Sequence, residues 1–317
     1  MPKVSILCNT YNHEAYIAQC LDGFLAQTTT FEVEILIHDD ASTDHTPQIL
    51  QDYAQRYPDR FKLWLQRENQ FSQGVGIIDL NLSRASGEYI AVCDGDDYWC
   101  DPLKLQRQVD YLDAHPECSL TVHAHRVILA SDPNQATDQL YNPNECTVSL
   151  HDILKVPAAQ FAYSSYLFRR NDADYPAAYR TLGFTDLPRL IYSASIGVVH
   201  YDPRVQSVYR RGVPNSFVYR NVANRQSALL NIQRRVAFYT ALREELPQER
   251  ALLDQHVQES TLYLASKSRN VKLLFQTAKN IGYTKIPLSR WIVLLSDLLF
   301  PQLIYAYRQH KRQNTLA

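Results

Sequence analysis

Three aspartates fall within four positions in Cys93-Asp94-Gly95-Asp96-Asp97-Tyr98-Trp99, directly after the apolar, β-prone run Tyr89-Ile90-Ala91-Val92. Carboxylates on one short turn repel one another, and a divalent cation that shares its remaining positions with phosphate oxygens makes such crowding tolerable. The chemistry implied is metal and diphosphate binding. The bland alternative is a solvated acidic turn ahead of a helix, because Asp101-Pro102 is a good N-cap and first-turn pair.

Placing such a cluster calls for a sheet, and the first 115 residues have its pattern. A buried strand over 4–8 leads to Asn9-Thr10-Tyr11-Asn12, and Ile17, Leu21, Phe24 and Leu25 then give a helix one apolar face. A second strand over 32–38 ends at Asp39-Asp40, before a helix carrying Ile49, Leu50 and Tyr53. A third strand over 61–65, a helix over 74–85 and a fourth strand over 88–93 lead to the acidic cluster. The alternation predicts an α/β fold, a mostly parallel twisted sheet with helices on both faces. Ligands of open sheets bind beyond the carboxyl ends of the strands, so the three polar groups are expected to converge there.

Further on, Leu105, Val109 and Leu112 mark a helix and 119–129 a long strand, while 130–144, with Pro133, Asn134 and Pro143, reads as a surface loop. Apolar segments over 162–169 and 196–209 flank a helix starting near Asp186, and beyond Ser216 the pattern is helical, including 228–245 and 250–265. The expected organisation is one half of an α/β domain over 1–118, its other half over 119–215 and a C-terminal helical region over 216–317.

Composition narrows the function. With 317 residues, 45% of them apolar and 21% charged, the chain can bury a real core and is not disordered. A formal net charge of -1 supplies no basic field to hold a nucleic-acid backbone, so nucleic acid is excluded as the main partner. Six scattered cysteines without CxxC pairs point to neither a zinc knuckle nor a disulfide framework, and a reducing cytoplasm fits them best. Met1-Pro2-Lys3 runs straight into the first strand without the apolar core of a secretory signal.

Pro2-Lys3-Val4-Ser5-Ile6-Leu7 leading to Thr10-Tyr11-Asn12, His38-Asp39-Asp40-Ala41-Ser42-Thr43-Asp44, and Gly87-Glu88-Tyr89-Ile90 followed by Asp94-Gly95-Asp96-Asp97 together resemble family 2 nucleotide-sugar glycosyltransferases of the GT-A fold. The likeness is to bacterial enzymes that build surface polysaccharides, and it covers roughly the first 115 residues. It implies that Tyr11 packs on the nucleotide base, beside Thr10 and Asn12, and that Asp40 accepts a hydrogen bond from the base. Both residue types suit those roles. Asp39 orients its turn or contacts ribose, and Asp44 caps the next helix. Asp94 and Asp96, one small residue apart, are the expected ligands, and hard oxygen donors favour Mg²⁺ or Mn²⁺ over zinc. Asp97 is a third ligand, a supporting group or a cap.

A neutral acceptor hydroxyl needs a base. Asp186, in Gly183-Phe184-Thr185-Asp186-Leu187, resembles the family's carboxylate at the start of a helix below the acceptor site, although Asp is also simply a good N-cap. Ser207-Val208-Tyr209-Arg210-Arg211-Gly212 resembles a later segment in which a histidine commonly stands where this chain has Gly212. Arg210 or Arg211 could meet the diphosphate. Trp99 and Tyr98 could wall the sugar pocket, with core packing as the default; His123 and His125, on one strand face, read as acceptor-side contacts or packing. The run over 286–307 is apolar, followed by basic Arg308, Lys311 and Arg312, but Arg290, Asp297 and Pro301 interrupt it. That argues against a membrane-spanning helix and leaves packing or contact with the membrane interface.

The resulting expectation is a metal-dependent inverting glycosyltransferase. Its donor is a nucleotide sugar, by resemblance UDP-linked, and its acceptor a glycan or lipid-linked hydroxyl. The expected location is cytoplasmic, with possible peripheral contact at the inner membrane face. Rival readings are a catalytically inactive relative that binds nucleotide sugar, and a sugar-phosphate nucleotidyltransferase. The latter would open on a glycine-rich phosphate loop that the 9 glycines do not provide after Cys8.

Overall fold

The computed structural model describes residues 1–156, 160–182, 186–214, 216 and 225–299. Two compact units divide them, one of residues 1–175 with the described part of 184–213, the other of residues 176–182 with the described residues after 213.

The first unit opens β1 (Val4–Thr10), α1 (Ile17–Leu25), β2 (Val33–Asp39), α2 (Thr46–Arg56), β3 (Phe61–Leu65), α3 (Ile77–Leu82) and β4 (Tyr89–Val92). Strands β3, β2, β1 and β4 lie side by side in that order, all parallel. Every residue of β1 and β4 is buried, as expected of strands covered on both faces. One core cluster joins Ile17, Leu21 and Phe24 of α1 to Ile6 and Cys8 of β1, Ile35 and Ile37 of β2, and Leu50 and Tyr53 of α2. The expected helix over 74–85 is shorter, because residues 71–73 form a separate 3₁₀ turn that ends on Gly74 in the left-handed region at φ +82°.

The chain continues with β5 (Tyr98–Trp99), α4 (Lys104–Ala114), β6 (Cys118–Leu129), β7 (Asp132–Gln139), β8 (Cys146–Val148), α5 (Leu150–Leu154) and β9 (Leu167–Arg169). It then forms α6 (Ala177–Arg180), which belongs to the second unit, and returns to the first with α7 (Asp186–Ile196) and β10 (Val198–Arg211). Strands β9, β6, β10 and β5 extend the sheet beyond β4. Here the directions mix: β6 and β10 are parallel, whereas β9 runs antiparallel to both β4 and β6. The polar stretch over 130–144 is not all loop. Residues 132–139 form β7, antiparallel to β6, with nearly every side chain exposed. Ladder hydrogen bonds satisfy its backbone while no face is buried, so it carries no apolar alternation to read.

The second unit adds α8 (Arg225–Glu245), α9 (Arg250–Ser268), α10 (Val271–Ile281) and α11 (Leu288–Leu299). Leu262 and Ala265 of α9, Leu274 and Ala278 of α10, Ile286 and Leu294 of α11 form its core cluster. Residues 300–307 of the apolar run, with Arg308, Lys311 and Arg312, lie outside the described residues.

At the edge of the first unit away from the strand tips, Glu34 ties three strands and a turn together. Its carboxylate accepts from Ser5 Oγ at 2.5 Å, from Ser86 N at 2.7 Å and Oγ at 2.8 Å, and from Lys62 Nζ at 2.6 Å. Burial pushes its pKa up, but the Lys62 ammonium and the Ser5 and Ser86 donors overcome burial and bring it down to about 2. A carboxyl depressed below its ordinary 4.5 stabilises the folded chain above that value and loses the contribution as pH falls towards about 2. Urea unfolding should therefore show Glu34→Gln clearly less stable than the parent at pH 7. The gap should close as pH is lowered below 4; a gap independent of pH would refute the assignment.

Candidate active site

The carboxyl ends of β1, β2 and β4 meet, and backbone pairing brings their polar tails together. Asp40 N donates to the Thr10 carbonyl at 2.9 Å, Cys93 N to the Leu7 carbonyl at 3.1 Å and Gly95 N to the Asn9 carbonyl at 3.0 Å. Asn12 and Ala41, both left-handed at φ +56° and +63°, turn the chain out of β1 and β2. Asn12 N donates to Ser42 Oγ at 2.9 Å and its Oδ1 accepts from Thr43 N at 2.7 Å, so each strained turn braces the other. Asp44 behaves as a cap, accepting from Thr46 N at 2.9 Å, and it also accepts from Glu14 N at 3.0 Å.

The acidic turn rests on this floor. Asp97 N closes it by donating to the Asp94 carbonyl at 3.0 Å. Gly95 is required for space: a Cβ there would sit 2.7 Å from Thr10 Oγ1 and 2.9 Å from Ile17 Cδ1. Asp94 and Asp96 are half-buried, and Asp97 is buried. Burial, with the negative charges of Asp96 and then Asp186 adding to it, pushes Asp94 up to about 7. Asp186 thus shares a field with the turn although it stands on α7. Its Oδ1 accepts from Leu187 N at 2.7 Å, and its carbonyl accepts from Tyr166 Oη at 3.3 Å. The residues Gly183, Phe184 and Thr185 that precede it lie outside the described residues.

The donor set suits a hard divalent ion. No group of three His, Cys, Asp or Glu among the described residues is assembled for a metal, which leaves the oxygens of Asp94 and Asp96. Mg²⁺ is typically held by one or two carboxylates, with phosphates and water completing its shell.

Other residues fall differently from their expected roles. Asp40 is 1% exposed, and its two oxygens accept from Gln70 N at 2.7 Å and Phe71 N at 3.1 Å. It braces the segment after β3, and each oxygen keeps acceptor capacity beyond these bonds. Asp39 is equally buried, its Oδ2 accepting from Ser42 N at 3.1 Å and its Oδ1 from Ser42 Oγ, which supports the turn-orienting alternative. Thr10 is buried beneath Gly95, while Tyr11 remains half-exposed at the end of β1.

Trp99 is a core residue, 3% exposed, with its indole N–H donating to the Ser164 carbonyl at 2.8 Å and its ring 4.8 Å edge-on from Phe24. This burial is core packing, the default expected for it, rather than the contact with diphosphate or acceptor considered as its alternative. Arg210 is also committed to the protein. Its guanidinium donates to the Asp96 carbonyl and to Gln19 Oε1, lies 5.0 Å from the Tyr16 ring and 4.7 Å from the Tyr98 ring, and its backbone N donates to Asp97 Oδ1 at 2.9 Å. It holds the acidic turn through the Asp96 carbonyl, and Asp97, by accepting its amide, supports that contact. Gly212, just past β10, has φ +82°, in the region that disfavours any side chain with a Cβ.

His123 is fully buried and His125 nearly so; burial lowers both, His125 to about 4, which favours packing. Sequence reading passed over His13. Its Nε2 lies 3.9 Å from Asp96 Oδ2 while its Nδ1 lies 3.1 Å from Thr10 Oγ1, so the ring is oriented towards the acidic turn. The available signal was a histidine directly after Tyr11-Asn12, at the end of a strand whose tip was already expected to face the site.

Comparison with known proteins bears on this geometry. The profile of glycosyl transferase family 2 matches residues 5–173. An uncharacterised protein of Mycobacterium tuberculosis is 53% identical over 125 residues, 39% of this chain and 36% of that protein. EpsE of Bacillus subtilis, a provisionally assigned glycosyltransferase, is 39% identical over 114 residues, 36% of this chain and 40% of that protein. The chain thus spans well under half the length of these curated relatives.

Among solved structures, S. aureus TarS 1-349 in complex with UDP-GlcNAc superposes with a TM-score of 0.58 at 19% identity, over 93% of this chain and 80% of TarS 1-349. The mannosyltransferase PcManGT from Pyrobaculum calidifontis, in complex with GDP-Man and Mn²⁺, gives 0.51 at 18% identity over 97% and 88%. These likenesses establish a shared fold, in accord with the expected GT-A-like architecture. With the family profile covering more than half of its length, the chain belongs to glycosyl transferase family 2.

Proposed function

We propose that the protein transfers a sugar from a UDP-linked donor to a hydroxyl of a glycan or lipid-linked acceptor in surface polysaccharide synthesis, with inversion at the anomeric carbon and with a divalent metal. The observation that carries this reading is Asp94 at the carboxyl end of a parallel strand, pushed up by burial and by the nearby charges of Asp96 and Asp186. The Arg210 guanidinium meets the turn through the Asp96 carbonyl, not through the carboxylates of Asp94 or Asp96.

Asp94 and Asp96 would hold Mg²⁺ or Mn²⁺, which when bound supplies Lewis-acid charge at the diphosphate. Tyr11 offers its face to the nucleotide base, and Asn12, Asp39 and Asp40 hold the two turns that frame it. Asp186 accepts the proton of the acceptor hydroxyl as its oxygen bonds to the anomeric carbon from the face opposite the diphosphate. The bond from that carbon to the diphosphate oxygen breaks, and the electron pair leaves with the nucleoside diphosphate. Direct displacement of this kind inverts the centre. The acceptor reading places the enzyme in the cytoplasm, peripheral to the inner membrane face.

Gly212 favours a second reading, a binder of nucleotide sugar without turnover, because the histidine of the resembling segment is missing there. Single-turnover transfer separates the two.

Thermal shift with UDP-sugars should show Mn²⁺-dependent stabilisation of the parent chain, about 2.7 kcal/mol when ligand is at 100 times its Kd. Asp94→Ala with Asp96→Ala should abolish that stabilisation; an undiminished shift in chelator would remove the metal from the scheme. Asp186→Asn should retain the shift yet lose ~10²- to 10⁴-fold in turnover. Near-normal transfer by this variant would exclude Asp186 as the base.

A further inference from the structure

We infer that α10 and α11 form a docking face for an anionic phospholipid surface. The inference deepens the peripheral placement proposed above, although its argument lies wholly in the second unit and uses none of the transfer chemistry.

Helix α11 has one wide apolar arc, part of it packed and part exposed. Leu294 is buried in a cluster shared with α9 and α10, with Trp291, Leu295 and Leu298 packed around it. Leu288, Ile292 and Leu299 fall within about 40° of arc that continues from Leu295, and they are 76%, 61% and 62% exposed. Helix α10 repeats the arrangement on a smaller scale: Leu274, Thr277 and Ala278 face inward while Val271 and Phe275, one turn apart, stay exposed.

Ring contacts join the two helices. Trp291 lies 6.1 Å from Phe275 and 6.3 Å from Tyr283, the latter stacked and itself exposed on the connecting turn. Exposed apolar side chains scattered singly need no explanation, but a continuous band with an aromatic cluster does. Tryptophan and tyrosine suit a boundary where one end is apolar and the other wet.

Charge selects the occupant. Lys267, Arg269, Lys272, Lys279, Lys285 and Arg290 stand in the stretch 261–299 against the single acidic Asp297, in a chain whose net charge is -1. Lys272, Lys279 and Lys285 are exposed on α10 and the turn that follows it. Arg290 lies on the far side of α11, 3.9 Å from Glu259. Apolar side chains rimmed by basic ones bind an anionic headgroup layer by burial and electrostatic attraction together. Among the described residues no helix is long and apolar enough to cross a membrane, and the proposed contact is along the surface.

The test is flotation of the full chain with vesicles of phosphatidylcholine alone and with added phosphatidylglycerol. The parent chain should float only with the anionic vesicles, and 0.5 M NaCl should release most of it. Leu288→Glu with Ile292→Glu, and separately Lys272→Glu with Lys279→Glu, should each lower the bound fraction at least tenfold. Circular dichroism and the Mn²⁺-dependent shift with UDP-sugar report whether fold and donor site survive, so failure of the lipid face is distinguishable from failure of the transfer reading. Equal flotation with both vesicle types, or none with either, would overturn the inference. So would a dimer by light scattering that the Leu288→Glu, Ile292→Glu variant dissociates, which would assign the band to a second copy. Truncation after Leu299 should leave anionic binding largely intact; its loss would move the determinant to residues 300–317.

Discussion

Like charges do not gather at a strand tip unless something forbids them to separate. Here the restraint is supplied mostly by backbone. Gly95 hydrogen-bonds to Asn9 and leaves no room above Thr10, the Asp97 amide closes the turn on the Asp94 carbonyl, and Arg210 grips the Asp96 carbonyl from beneath. Carboxylates held in this way cannot relax by moving apart, so their repulsion persists as a raised Asp94. An electropositive ligand relieves the repulsion without rearranging the chain, which is the condition for preorganised electrostatics.

The neighbouring turns follow the same logic. Asn12 and Ala41 adopt backbone conformations that cost free energy, and they persist because Ser42 and Asp44 accept from the Asn12 and Glu14 amides while Asn12 Oδ1 accepts from Thr43 N. Strain and charge are therefore stored on one edge of the sheet, whereas Glu34 and its donors bind the opposite edge.

Much of this was legible in the residues. Buried strands read as unbroken apolar runs, so β1, β2 and β4 and the polar tails at their ends could be placed from pattern and topology alone. Asp44 was readable as a cap because its partner lies two residues away. What the residues could not show were partners distant in sequence. Arg210 meets a carbonyl 114 positions earlier and Asp40 accepts from amides 30 and 31 positions later. Trp99 reaches a carbonyl 65 residues on. Residue type announces what a group can do, but long-range packing decides whether it remains available. Strand β7 escaped for the opposite reason, because with neither face buried nothing in its side chains needed to alternate.

The left-handed backbone at Gly212 has one more implication. A histidine there would have to adopt a conformation that costs L-residues roughly 1–2 kcal/mol, before any imidazole reached a partner. The glycine is thus matched to the path by which the last long strand leaves the sheet. Exchanging it for a histidine would add a third strained turn, in addition to those at Asn12 and Ala41, to the unit that holds the acidic cluster.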